Sequence, residues 1–479
     1  MAKLRTLSWK PRLPANRGPM YLAIADAIGE DIRSGQLAPG DRLPPMRALA
    51  DWLGIDFTTV TRAYAEAARR ELVDAEVGRG TFVRKRALPP PRTVTVGAVE
   101  MSMNHPPAFH DPALLERMWQ GMRDVQARGE DLLMRYQPPG GTPYDREVGA
   151  GWLSSHIPGA AADRVLVTAG LQGGLHSVLS MLLSPGDTLA VEALTYPGVR
   201  ALAALLRLRL VPVAMDEHGV DPDALDAVCA SESPKAFYCM PSLHNPTAIT
   251  MPVERREAIA AVMKRHNLPI IEDDDYGSLP AQVLPPLAVF APALTYHIAG
   301  LSKCLSPSLV VAYVLTPDAW SAARLTSVMR ATSGTVSSLS AAVTSRWIEE
   351  GTAAQVVQAI RTEANERLAI ASRMLPRSQV AIPKDGFHLW LRLPEPWTSG
   401  EFVGGLRNAG LGIVGREAFS VGPSPEAVRL ALGASGTREQ LREGLGMVAD
   451  LMTQSPMMLS PVVGCVLSFY ALCGEGWAP

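Results

Sequence analysis

Lys303 stands in the run Ala299-Gly-Leu-Ser-Lys-Cys-Leu-Ser-Pro307, behind an apolar stretch and between small and hydroxyl side chains. Burial beside a cationic imine depresses an amine's pKa and makes it a nucleophile, so this lysine suits a Schiff base with the aldehyde of pyridoxal phosphate. Three other segments supply what such a cofactor needs. In Ile270-Ile-Glu-Asp-Asp-Asp-Tyr-Gly-Ser278, Asp273 ends an apolar strand pattern and suits the pyridine nitrogen, whose protonation makes the ring an electron sink. Tyr276, three residues on, and Asn245, ahead of Pro246, suit hydrogen bonds to the ring's phenolic oxygen. In Val167-Thr-Ala-Gly-Leu-Gln-Gly-Gly174, a strand runs through a glycine-rich turn into a helix. The amides of Gly170, Leu171 and Gln172 then form an anion site for a phosphate. Each feature has an ordinary reading by itself: a solvated lysine, an acidic loop or metal site, an Asn-Pro turn. Their combination carries the chemistry.

A second constellation lies near the N-terminus. Pro19–Ser34 places Leu22, Ile24, Ala25, Ile28 and Ile32 at near-helical spacing, with Gly35 as a stop. A second helix, Met46–Gly54, ends at a glycine, and Asp56 caps a third helix that begins Phe57-Thr-Thr-Val-Thr-Arg62. Thr58, Thr59 and Thr61 are placed to reach base edges or phosphates, while Val60 and Tyr64 face inward. Residues 72–84 form two short strands joined at Gly78-Arg79-Gly80, a wing whose arginine suits a minor groove and whose Gly80 permits close approach to DNA. Arg47 and Arg62 are further phosphate candidates. The ordinary reading is a helical interaction or dimerisation module.

These segments need two domains to position them, and 479 residues suffice. Residues 1–86 hold 15 Lys/Arg against 10 Asp/Glu, and the remaining 393 hold 30 against 37, so only the first part has the charge bias of a polyanion binder. Pro89-Pro-Pro91 lies in an extended linker over residues 85–98. Beyond it, six strand patterns starting near Arg164, Asp187, Arg207, Lys235, Leu268 and Leu294 alternate with helical stretches, which implies a mostly parallel, helix-covered sheet. From about residue 370, Gly386–Pro394 and Ala427–Gly433 suggest a smaller α+β lobe. Met452–Cys473 carries no charged residue but is broken by Pro456 and Pro461, so residues 453–479 read as an extension and not a membrane span. Five scattered cysteines without Cys-x-x-Cys or Cys/His ligand spacing argue against a disulfide framework or a structural zinc site, so no metal is expected. Nothing reads as a secretion signal, and a cytoplasmic location is expected.

Residues 15–84, with Arg42-Leu-Pro-Pro-Met-Arg-Ala-Leu-Ala50 and Gly78-Arg-Gly-Thr-Phe-Val83, resemble the winged helix–turn–helix of the GntR group of bacterial transcription factors. That group usually has a polar–basic pair where Asp56-Phe57 stand. The order Tyr136 with Gly141, Gly170, Tyr196, Asn245, Asp273 with Tyr276, Lys303 and Arg429 resembles a fold type I aminotransferase over residues 99–452. That resemblance implies that Tyr196 stacks on the cofactor ring and that Ser302 touches its phosphate. It also implies that Tyr136 serves the neighbouring subunit and that Arg429 clasps a carboxylate. Three departures stand out: Val310 replaces the usual phosphate-binding arginine, Ala248 replaces the glycine of Asn-Pro-Thr-Gly, and Asp145-Arg146 replaces Leu-Arg. The whole layout resembles MocR/GabR-type regulators, which implies a head-to-tail homodimer whose double-stranded DNA binding answers to pyridoxal phosphate and an amino-acid or amine effector. A true aminotransferase with a DNA-binding head, and a dimerisation scaffold that has lost the cofactor, remain the alternatives. His388 reads as a satisfied core histidine.

Overall fold

The computed structural model describes residues 9–11, 13, 19–34, 36–38, 40–70, 72–76, 80–84, 99–127, 134, 136–332 and 336–454, and the chain divides between Val96 and Gly97 into two units. In the first, α1 (Met20–Arg33), α2 (Met46–Leu53) and α3 (Phe57–Arg69) precede an antiparallel pair, β1 (Val73–Glu76) and β2 (Gly80–Val83). Ile24, Ile28, Leu49, Val60, Ala63 and Tyr64 form its core, as helical spacing of the apolar residues requires. Gly54 ends α2 with φ of 64°, a conformation glycine adopts freely, and the Asp56 carboxylate accepts the Thr58 amide at 2.7 Å to start α3. Gly35 and the wing tip at residues 77–79 lie outside the described residues.

The second unit is built on seven strands. β3 (Val99–Glu100) enters first and is not one of them. β4 (Val165–Ala169), β5 (Thr188–Glu192) and β6 (Arg209–Val213) are followed by a short hairpin, β7 (Met215–Asp216) with β8 (Gly219–Val220). β9 (Ala236–Cys239), β10 (Ile270–Asp273), β11 (Thr295–Gly300) and β12 (Val311–Leu315) complete the sheet, in the order β4-β12-β11-β10-β9-β5-β6. β12 runs antiparallel to both neighbours and the other pairings are parallel. Helices cover both faces, so β5, β9, β10, β11 and β12 are buried throughout and read as near-continuous apolar runs. Each of the six strand patterns forms a strand, but β12 was not among them. Its run Val311-Ala-Tyr-Val-Leu315 lies between Ser306-Pro307-Ser308 and Thr316-Pro317-Asp318 and so carries the same turn-bounded apolar signal, but it follows the Lys303 loop within eight residues with no helical stretch between.

The smaller lobe carries β13 (His388–Arg392), β14 (Leu411–Gly412), β15 (Val414–Gly415) and β16 (Ala427–Ala431). Its boundary differs from the expected one. β14 pairs in parallel with β3, and Val99, Met101 and Leu368 share the lobe's core with Leu389, Phe402 and Leu445. The segment leaving the linker therefore belongs to the C-terminal lobe, a pairing across some 300 residues that no local pattern announces. Among the described residues no helix is long and apolar enough to cross a membrane, and Cys229, Cys239 and Cys304 are free and buried. Cys465, Cys473 and nearly all of the 453–479 extension lie outside the described residues.

Helix Pro143–Ser154 approaches β12 closely at Gly149, where a Cβ would lie 2.6 Å from the Tyr313 ring. Gly149→Ala is expected to destabilise the second unit by about 1–3 kcal/mol through overpacking, read as a lower urea midpoint at unchanged slope.

Candidate functional site

The C-terminal ends of β4, β5, β9, β10 and β11 lie along one edge of the sheet, the usual ligand crevice of open α/β folds. The loops that leave those ends bring most of the expected residues together. Asp273 ends β10 fully buried, accepts the Tyr238 hydroxyl at 2.6 Å and takes the Asp275 amide at 3.3 Å. Burial, reinforced by the neighbouring Asp275 charge, holds its carboxyl well above the usual range. Burial also pushes Asp275 up to about 6, opposed by the Lys303 ammonium.

Lys303 sits in the loop between β11 and β12, where its Nζ donates to the Asn104 carbonyl at 2.8 Å. The Asn104 side chain donates to the Tyr276 hydroxyl at 2.6 Å. Arg429, on β16, donates to Asn245 Oδ1 at 2.9 Å and to the Ser102 carbonyl, with its guanidinium 5.1 Å from the Phe419 ring centre. Asn245 Oδ1 thus meets Arg429, which places the residue in the same crevice as Lys303 and Tyr276. Its loop is pinned by Arg256, buried among the carbonyls of Met251 and Pro241 at 3.0 Å each.

The helix Gly170–Leu182 starts after Ala169, which offers no side-chain cap, so the amides of Gly170, Leu171 and Gln172 head an uncapped N-terminus. Gly170 has φ of 70°, and a Cβ there would lie 2.9 Å from Val310 Cγ1. Val310, half exposed at φ 51°, therefore stands against this anion site, with a β-branched side chain in a strained backbone region. Gln172 donates to the Gly198 carbonyl at 3.1 Å, and the Tyr196 ring packs over Gly198, which brings both residues to the same corner. Ser302 is half-buried beside Lys303. Tyr136 is fully exposed and joins none of the others within one chain.

Four participants escaped the sequence reading: Ser102, Asn104, Tyr238 and Asp275. Tyr238 left a trace as a lone hydroxyl in a buried strand, and Asp275 as the last of four consecutive acids; Ser102 and Asn104 left none. His388 is only partly satisfied. Its Nε2 meets the His244 carbonyl at 3.0 Å, its buried Nδ1 has no partner, and its ring lies 5.4 Å from that of Tyr276. Burial pushes it down to about 3, so it is neutral.

In the first unit, the Arg47 guanidinium lies 5.8 Å from the Phe57 ring centre and that of Arg62 4.3 Å from Tyr21's. The Thr58 hydroxyl is taken by Asp56 and that of Thr61 by the Phe57 carbonyl at 3.0 Å, so these two contribute to the start of α3 before any DNA contact. Thr59 is half-buried. Arg42, which the sequence reading passed over, stacks at the wing: a Cβ on Gly80 would lie 2.8 Å from its Nε. Arg79 lies outside the described residues.

Residues 97–448 match the family of aminotransferase class I and II, and residues 20–83 match the bacterial regulatory proteins of the gntR family. An uncharacterised HTH-type transcriptional regulator of Bacillus subtilis, YdeF, is 32% identical over 93% of this chain and 97% of its own. The chain belongs to the MocR/GabR-type transcriptional regulators. The vitamin B6 salvage pathway transcriptional repressor PtsJ of Salmonella typhimurium is 26% identical over 87% of this chain and 95% of its own. Among solved structures, the α-aminoadipate aminotransferase LysN of Thermus thermophilus, complexed with N-(5'-phosphopyridoxyl)-L-leucine, superposes with a TM-score of 0.67. It is 24% identical and covers 74% of this chain and 92% of its own, which shows a shared fold.

For this regulator, Asp275 sets a pH dependence. Its carboxyl titrates near 6 when folded and near 3.8 when unfolded, so the folded state is penalised as pH rises through that window. Wild type is expected to lose on the order of 3 kcal/mol relative to Asp275→Asn between pH about 4 and 6, measured by denaturant titration across that range.

Proposed function

We propose that this regulator holds pyridoxal phosphate at Lys303, senses an amino acid or amine there, and alters the affinity of its winged helix for double-stranded operator DNA in response. The observation that carries this reading is the convergence of Lys303, Asp273, Tyr276, Asn245 and Arg429 at one sheet edge. The residues present fit the cofactor. Asp273 is a buried acid on an apolar strand in need of a cationic partner, and the uncapped helix start at Gly170 suits a phosphate. Buried Asn104 Oδ1 and Arg429 Nε have no partner of their own. Bound there, pyridoxal phosphate supplies an aldehyde that condenses with amines. Asp273 would hold the ring nitrogen's proton, Tyr276 and Asn245 would orient the phenolic oxygen, Tyr196 would cover the ring, and Ser302 and Gly170–Gln172 would bind the phosphate. An exposed Tyr136 is consistent with service to a second subunit of a homodimer. A cytoplasmic location follows from the DNA partner.

Sensing would begin at Arg429. An effector carboxylate competes with the Ser102 carbonyl for its guanidinium, because a bidentate ion pair outranks a neutral acceptor. Ser102 and Asn104 lie immediately after the linker region, so what displaces them acts on the segment that leads to the DNA-binding head. Regulation then requires that the effector bind two conformations with different affinity.

Reduction with borohydride is expected to fix a pyridoxyl group on Lys303, seen by mass spectrometry and absent in Lys303→Ala; an unmodified Lys303 after saturation with the vitamer would leave only a dimerisation scaffold. Amino-donor turnover at ordinary enzyme rates would instead favour an aminotransferase. Val310→Arg is expected to tighten cofactor binding about 30- to 150-fold by restoring one charge-assisted bond of about 2–3 kcal/mol, measured by spectral titration. In the head, Arg62→Ala is expected to lower the slope of log affinity against log salt by about 1, whichever operator sequence is used.

A further inference from the structure

Glu272 and His297 are register partners on the parallel strands β10 and β11, so their side chains leave the sheet on the same face. Alternation sends Glu272 and Asp274 to the face opposite Asp273. There, Glu272 Oε2 lies 2.9 Å from His297 Nδ1, while the Glu272 carboxylate also accepts the amides of Leu287 at 2.6 Å and Ala288 at 3.0 Å. A carboxylate so engaged keeps the His297 proton on Nδ1 and leaves the Nε2 lone pair pointing away from it.

That lone pair meets two others. His156, in the loop after helix Pro143–Ser154, has its Nδ1 3.0 Å from the Ser155 hydroxyl, which frees its Nε2 in the same way. Asp274 Oδ2 stands 3.6 Å from His297 Nε2, beyond hydrogen-bond range. His156 Nε2, His297 Nε2 and Asp274 Oδ1 are all buried without a hydrogen-bond partner. His297 is fully buried, Asp274 is 5% exposed, and the three residues' donor atoms lie within 4.8 Å of one another. Two ligands on one tetrahedral ion with bonds of about 2.0–2.2 Å stand roughly 3.5 Å apart, close to the 3.6 Å between His297 Nε2 and Asp274 Oδ2. The Asp274 carboxylate is also held in place, for a Cβ on Gly277 would lie 1.8 Å from its Oδ2.

We propose that His156, Asp274 and His297 bind one divalent transition-metal ion, zinc or a metal of similar preference, with Glu272 fixing His297 in the ligating tautomer. Two imidazoles and a carboxylate select such an ion over calcium or magnesium, and a carboxylate behind a ligating histidine is the usual outer partner. The ion ties the end of β10 and the middle of β11 to the loop at His156, on the reverse side of the sheet from Asp273. The residues lie far apart in sequence and involve no cysteine, which is why ligand spacing along the chain did not disclose them.

The test uses the untagged full-length protein, stripped with a chelator and titrated with zinc sulfate, then with cobalt(II) chloride. One zinc per chain is expected, with a rise in melting temperature and the visible bands of low-coordinate cobalt. Lys303→Ala should bind zinc unchanged, which separates this site from metal held by pyridoxal phosphate and makes the result independent of the proposed cofactor. His156→Ala, a loop substitution, should weaken zinc at least tenfold with the circular dichroism spectrum preserved. Glu272→Gln should weaken it about 10- to 100-fold. Failure of the stripped wild type to take up stoichiometric zinc, or undiminished affinity in folded His156→Ala, overturns the proposal and leaves the cluster as a His297 imidazolium held between Glu272 and Asp274.

Discussion

An aspartate at the end of a strand buried on both faces is the constraint around which the second unit is organised. Asp273 has no exposed surface, and an isolated buried carboxylate is costly unless it is protonated or partnered. The Tyr238 hydroxyl and the Asp275 amide provide part of that compensation. The remainder requires a cationic group on the open side of the sheet edge, where Lys303, Tyr276 and Arg429 assemble. Burial therefore raises the acid's proton affinity, and on the proposed function a ligand bringing a positive charge would restore its ionised form.

On the proposed function, the same edge would join sensing to regulation through a short length of chain. Residues 99–104 pair with the small lobe through β3, bond Arg429 through the Ser102 carbonyl, and bond both Lys303 and Tyr276 through Asn104. A stretch that immediately follows the linker thus contacts three of the residues a ligand would engage. A transaminase has no use for such a contact beyond positioning, whereas a regulator needs some physical path from an occupied crevice to a separate head. These hydrogen bonds are discrete, and a ligand that replaces one must release the chain that made it.

Val310 marks a departure of this chain from the aminotransferase pattern it resembles. It stands at the helix start that would hold a phosphate, with a backbone that suits a β-branched residue poorly. The donors at that helix start are the neutral amides of Gly170, Leu171 and Gln172. On the proposed function, a weaker hold on the cofactor would suit a reporter of its level, while a catalyst that must keep its cofactor through many turnovers would gain from the missing charge.

Much of the architecture was readable from the chain alone. Apolar runs bounded by turn residues located six of the seven sheet strands, and helical spacing with Gly54 and Asp56 placed the three head helices, because these signals act over a few residues. The candidate site positions Lys303, Asp273, Tyr276 and Gly170 stand out for a related reason: each is a distinctive residue type within a few positions of a strand end or at a helix start, while Asn245 stands out by preceding Pro246. Folding alone decided the rest. Ser102 and Asn104 reach the site from some 170 to 330 positions away, β3 joins a lobe that begins far downstream, and His156 meets His297 on one face of the sheet. Local propensity fixes backbone direction over a turn or a strand, but which polar atoms end up facing one another depends on how whole layers stack. That stacking is set by burial summed over the entire core, and no short window of residues contains it.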